Sequence, residues 1–463
     1  MLLHLAKWGP LLMRLRAVTI SLLPIAVVAF FAAVRAEAPK RIAEPSLIYT
    51  STTRYDLLAW MHGGERFPEG ATLMVHSAGR SHPLVSAFAA SADASISFDG
   101  TSVLFAGKKS ASDHWQIWQM PVAGGEPVQL TVCIDDCVRP FYLPQDRIVY
   151  AHRIDGAFQI ETSPAARGTP LRLTYIPGNT LPTDVLHDGR ILFEAAYPMG
   201  NGSNAELYTV YPDGSGVESY RCDHGNSRYA GKQNESGDIV FANDKGLARF
   251  TSALAHEVQI PTPAGEFAGD VAQASNNTWV VSWRRDITAK YSLQEWTAAT
   301  KLLKPVAAEA GRDLVQPVLV RERPVPNRFP SALHNWDGAN VLCLNVYTSK
   351  LAIASGSVKA VNLYTLADNK PKLLGRAEVE PDGSFFLHVP SDHPLRIELL
   401  DRSGNTLQSE HGWFWMARGE QRVCIGCHAG PERAPENAVP QVLVKSTEPA
   451  DMTHHTVASQ GGR

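Results

Sequence analysis

The feature that most constrains this chain is a unit that returns about every 45 residues, the spacing of a propeller blade. Residues 97–131 show it best: an Asp99-Gly100 turn leads into the apolar residues 103–106, Gln116-Ile117-Trp118-Gln119-Met120 follows, and Gly124-Gly125 precedes a closing Leu130-Thr131. The equivalent second-strand positions begin at Val103, Ile148, Ile191, Ile239 and Trp279. Such short strands joined by tight turns build four-stranded sheets, and one such sheet cannot bury both faces alone. Radial stacking against copies of itself solves this, so recurrence is a physical requirement. Residues 47–78 and 314–347 supply further strands, and the expected architecture is a six-bladed β-propeller over 45–350. An array of β-sandwiches would have no reason to hold one period over five units.

At 463 residues the chain exceeds what one ordinary core organises. Its 35 Gly and 31 Pro fit a mainly β protein with many turns. Residues 357–440 change character: Val361-Asn362-Leu363-Tyr364 and Ala377-Glu378-Val379-Glu380 alternate, and Pro381-Asp382-Gly383-Ser384 makes a turn between strands. These residues predict a small antiparallel β-domain. Beyond residue 431 Pro, Glu, Ser and Thr dominate, and 441–463 reads as a disordered tail.

The N-terminus reads as an export signal. Arg14 and Arg16 precede an uncharged apolar run over residues 17–34, and Val34-Arg35-Ala36 offers small residues for cleavage after Ala36. An uncleaved run of this length would instead be a membrane anchor; Pro24 within it favours cleavage. Residues 1–36 hold four bases and no acid, so the remainder is more acidic than the whole chain's net −3. No dense basic stretch exists, which argues against a nucleic-acid partner. The expected location is the periplasm.

Cys424-Ile425-Gly426-Cys427-His428 is the motif that carries chemistry. Two thiols separated by two residues match the spacing of haem vinyl groups, and the adjacent His lies where a proximal iron ligand is needed. A thioredoxin-type dithiol would sit beside a βαβ unit, and a structural zinc site would need a second ligand pair; neither pattern occurs. One covalent haem c is therefore expected, with Cys424 and Cys427 as thioether donors and His428 on the iron. Met416, eight residues earlier in Trp413-Phe414-Trp415-Met416, is the candidate distal ligand, or else it walls the pocket with its aromatic neighbours. His411 is nearby, and His454 and His455 lie in the tail. Cys222-Asp223-His224 reads as a turn with a buried thiol or as another ligand group. Cys133 and Cys137 are close enough for a short disulfide, and Cys343, between two leucines, reads as core. Asp155-Gly156, Asp213-Gly214 and Asp337-Gly338 are turn pairs and carry no chemistry.

Around the motif, Gly383-Ser384-Phe385-Phe386, residues 394–401, Gly419-Glu420-Gln421-Arg422 and the Cys pair itself resemble the middle domain of the hydrazine synthase alpha-subunit family. The preceding repeats are similar to that family's TolB-type propeller. The resemblance implies a propeller followed by a haem domain, other subunits as partners, and a haem enzyme acting on a small nitrogen or oxygen species. In hydrazine synthase a Tyr shortly after the motif binds iron and the motif His helps bind zinc. The residue four past His428 is Glu432, so His428 is kept on the iron and no zinc is expected. Three functions follow: a periplasmic electron-transfer subunit that uses the propeller to dock a redox partner, which is the leading reading; a haem enzyme with an open distal face; and a propeller scaffold.

Overall fold

The computed structural model describes residues 46–166, 168–200, 202–221, 227–297, 299–300, 302–427, 434 and 436–453. The segment 1–36 expected to be an export signal, Cys222-Asp223-His224, His428, Glu432, His454 and His455 lie outside the described residues.

Six four-stranded sheets form the expected propeller. Blades 2 to 6 are each made of consecutive strands, and blade 1 joins the two ends of the ring. Its innermost strand, Asp313–Leu319, pairs with Leu47–Thr52, which pairs outward with Thr72–Ser77 and then Arg80–Pro83. The repeated second strands are Ser102–Lys108, Arg147–Ile154, Ile191–Tyr197, Ile239–Asn243 and Thr278–Arg284, close to the positions that the sequence period marks.

Every innermost strand also breaks register at least once. At these breaks Asp93, Arg139, Ala230, Gly269 and Gln316 take positive φ, the mark of a β-bulge that re-aims a side chain. The result is a polar ring on the axis. Gln316 donates to Asp93 and accepts from Thr50 Oγ1, while Arg139 pairs with Asp270 at 3.3 Å. Burial pushes the Asp270 carboxyl upward, but Arg139 and Lys232 more than offset it and hold it below its ordinary value.

The expected propeller limit of 350 is too late. The last propeller strand ends at Leu319, and residues 320–338 form an extended strap. The strap passes blade 2, where Arg323 N donates to Phe98 O, and blade 4, where Asn327 N donates to His187 O. Its prolines explain why it joins no sheet. Ala339–Cys343 then belongs to the second domain.

That domain is a sandwich of two four-stranded sheets. One runs Lys370–Glu378, Ala360–Ala367, Leu395–Leu400, Thr406–Ser409 and is antiparallel. The other runs Gln421–Cys424, Ala339–Cys343, Phe385–Val389, Ala450–Asp451 and is mixed, because both edge strands pair in parallel. Alternate residues of the facing strands (Val341, Cys343, Phe385 and Leu387 against Leu363 and Leu399) make the core.

The expectation of a disordered tail fails for residues 441–453. A short helix, Gln441–Lys445, is seated where Asp382 accepts from Gln441 N at 2.7 Å and Ser384 Oγ accepts from Val442 N at 3.0 Å. Met452 is 1% exposed within the sandwich core. Polar composition suggested disorder, but two acceptors in the 381–384 turn and one buried side chain tie the segment down. No helix among the described residues is long and apolar enough to cross a membrane.

Candidate haem attachment site

The strand Gln421–Cys424 lies at the sheet edge because its partner accepts it in parallel register: Val341 opposes Arg422, and Cys343 opposes Cys424. Alternation then puts Arg422 and Cys424 on the inner face with Val341 and Cys343, and turns Val423 outward, where it is exposed. Past Cys424 the chain runs tightly against residues 345–348. A Cβ on Gly426 would lie 2.1 Å from Thr348 O and 2.7 Å from Asn345 O, so only glycine fits between the two cysteines.

Cys424 opens into a cavity of about 500 Å³ between blade 4 and the sandwich edge. Arg422, Val341 and Ile397 line the sandwich side, while Tyr197, Met199 and Tyr208 line the blade side. His411, Trp413 and Phe414 close a third side. The volume lies within the range of cofactor sites, and the wall is largely aromatic and aliphatic with a few polar groups, as such sites require.

Both thiols of the pair are unbonded. Burial pushes Cys424 upward from its ordinary pKa, with Arg422 opposing, and pushes Cys427 up to about 12, aided by Glu410. Cys427 packs against the sandwich core and does not line the cavity. Cys343 is 3% exposed in the same core, as expected of it. One free thiol on a cofactor-sized, mainly apolar cavity and a second three residues on in the adjoining core are a donor set and a space that fit a covalently held haem.

Met416 is fully buried in the sandwich core and is not among the cavity residues. The reason is the alternation of its segment, which runs between two cores. Trp413 and Trp415 enter the apolar cluster of blades 3 and 4, whereas Phe414 and Met416 pack against the sandwich. The segment is fixed on both sides, by Trp413 N to Met199 O at 3.1 Å and Phe414 N to Leu395 O at 3.0 Å. His411, two residues before this stitch, does line the cavity.

Buried Glu420 ties the motif strand to the propeller. Its Oε2 accepts from Ala417 N at 2.8 Å, and its Oε1 accepts from Gly216 N at 3.2 Å and from Arg422 at 2.7 Å. Sequence reasoning did not single out Tyr197, Met199 or Tyr208. They stand some 200 residues before the motif, and no local pattern links the two. In the propeller, Cys133 and Cys137 form a disulfide.

A family described as the hydrazine synthase alpha subunit middle domain matches residues 345–429. Hydrazine synthase subunit alpha of Kuenenia stuttgartiensis is 34% identical over 61 residues, 13% of this chain and 8% of that protein. This match spans far less than two thirds of that relative's length. The solved Kuenenia stuttgartiensis hydrazine synthase superposes with a TM-score of 0.75 at 16% identity, covering 87% of this chain and 71% of that one. TolB from Acinetobacter baumannii gives 0.45 at 12% identity, covering 62% and 67%; the propeller assignment rests on the blades themselves. A family-matched middle domain, with Cys424 on the cavity between it and blade 4, thus stands behind a propeller, and the chain resembles the hydrazine synthase alpha subunit in that domain and in its overall fold.

Proposed function

We propose that this chain is the haem-bearing subunit of an exported oxidoreductase, binding a small nitrogen or oxygen species at a haem face that opens into the interdomain cavity. The observation that carries the reading is Cys424 opening into a cavity of about 500 Å³ walled by both domains. Cys424 and Cys427 would hold haem c through thioethers, with His428 as the proximal donor. Bound there, haem supplies a redox-active iron able to take a small diatomic or amine ligand.

The rest is done by the chain's own groups. Trp413, Phe414, Val341 and Ile397 keep bulk water from the cavity. Arg422 and Lys350 place positive charge on its wall, suited to carboxylates such as haem propionates. The His411 imidazole and the Glu410 carboxylate are placed to hold or pass a proton at the rim. The relatives are named as hydrazine synthase, one of them as a subunit, which supports other subunits of a complex as partners. The apolar N-terminal run supports a periplasmic location.

An electron-transfer role is the second reading, favoured by His411 and Met199 on the same cavity wall, residue types that serve as iron ligands in haem electron carriers. Expression in a host with haem-maturation machinery tests both. The full chain is expected to hold haem through denaturation, and Cys424→Ser with Cys427→Ser to lose it. Carbon monoxide binding by the reduced protein supports the enzyme, and a low-spin spectrum indifferent to it supports the carrier. Mature protein with the mass of the bare polypeptide would end both readings.

A further inference from the structure

Cys343 is a third thiol where a two-vinyl attachment uses two. Parallel pairing sets it directly opposite Cys424, on the same face of the sheet, in a row that continues to Phe385. Neighbouring strands lie about 4.8 Å apart, within the ~4.4–6.8 Å between Cα atoms that a disulfide spans. The ladder holds this spacing: Leu344 N donates to Cys424 O at 2.9 Å. Closing a bond therefore asks for side-chain rotation and a small approach of the two strands, toward the ~3.5–4.5 Å between Cβ atoms of a disulfide.

We propose that Cys343 and Cys424 form a disulfide in the haem-free chain, and that this bond withholds Cys424 from haem until it is reduced. The second clause rests on the haem reading; the first stands without it. The two thiols are suited to unequal roles. Cys424 is partly exposed at the cavity, and Cys343 is buried behind it. A small disulfide R–S–S–R serves as oxidant. The Cys424 sulfur attacks one of its sulfurs, forming a mixed disulfide and releasing one R–SH. Cys343 then attacks the Cys424 sulfur, the second R–SH leaves, and both protein protons end on the released thiols. Two protein thiols are oxidised and one small disulfide is reduced. Cys427 is the competitor for Cys424, but it must close through Gly426, which is wedged against the carbonyls of Thr348 and Asn345.

The test uses the full chain made without haem maturation, treated with oxidised glutathione and digested without reductant. Mass spectrometry is expected to find residues 343 and 424 cross-linked, with no glutathione retained. In Cys343→Ala the glutathione should stay on Cys424 or the bond should move to Cys427. Any other pairing of Cys424 in the wild type, or a lasting glutathione adduct there, overturns the proposal. In a haem-attachment assay the wild type carrying the 343–424 cross-link should take up haem only after dithiothreitol; oxidised Cys343→Ala, with Cys424 held by glutathione or Cys427, should need it too, so gating by the 343–424 bond is read from the cross-linked wild type alone. Uptake by the cross-linked wild type without reductant overturns the gating clause. A chain that never takes haem, even fully reduced, refutes the haem reading and leaves the cross-link result standing on its own.

Discussion

The propeller and the sandwich bury reactive groups in opposite ways. On the propeller axis every charge meets a partner: Asp93 bonds Gln316 and the Arg139 N–H, and the Arg139 guanidinium pairs with Asp270. The propeller's closely spaced cysteines, 133 and 137, are bonded to each other. At the sandwich edge Cys343, Cys424 and Cys427 sit unbonded, held protonated by burial, beside a cavity. Burial with partners specifies a structure, whereas burial without them leaves thiols that are protonated and slow to react as they stand but still unbonded. The same residue type, at nearly the same spacing, thus serves architecture in one domain and is available to a cofactor in the other.

The largest expected effect breaks the propeller side. Arg139→Ala leaves Asp270 charged and buried and should cost about 3–5 kcal/mol in urea unfolding. Arg139→Met with Asp270→Leu should cost less, because the two charges leave together while Asp93 keeps its bonds from Gln316 and the residue 139 N–H, and Lys232 keeps Asp184. The pH dependence has a fixed sign. Asp270 titrates lower in the folded chain than its ordinary 3.8, so its contribution is complete above that value and is lost as pH falls through the folded one. Wild type should therefore lose stability on acidification in this window more steeply than the Met/Leu variant. Equal slopes would show that the ring does not hold the blades together.

A smaller effect sharpens the contrast between the cysteine pairs. Cys133→Ser with Cys137→Ser removes a short loop closure worth about 2 kcal/mol in the chain-entropy account. It should lower the unfolding midpoint and leave haem content untouched. Cys424→Ser with Cys427→Ser should do the reverse, abolishing haem while costing the haem-free chain little. If the propeller pair alters haem content, the division of labour between the domains is wrong.

The sequence revealed what repeats and what chemistry must keep adjacent. Blade period and strand positions were legible because each second strand is a local apolar run between turns, and the pairing of the two thiols in one short segment because only Ile425 and Gly426 separate them. Contacts over long separations were not legible. Blade 1 needs a strand from residue 313 onward beside one from residue 47, and the cavity needs Tyr208 beside Cys424. Trp413-Phe414-Trp415-Met416 misled for a different reason. Its alternation is genuine, but the two faces serve two cores, and periodicity cannot say what lies on each side.

Turn glycines give the smallest and most discriminating test. Gly156 and Gly189 both follow Asp in hairpin turns, with φ of +83° and +86°, and the sequence treats them alike. A Cβ on Gly156 meets nothing within 4 Å, whereas one on Gly189 would lie 2.2 Å from Asn327 O in the strap. Gly156→Ala should cost only the left-handed conformation, about 1 kcal/mol. Gly189→Ala adds displacement of the strap and loss of the Asn327 N to His187 O bond, worth about 1 kcal/mol more. The excess belongs to the strap alone, so limited proteolysis should cut within residues 320–338 faster in Gly189→Ala than in Gly156→Ala. Equal costs and equal cutting would mean that the strap rests on the propeller without being held by it, and that the two domains are joined by the Trp413–Trp415 stitch and the Glu420–Gly216 bond instead.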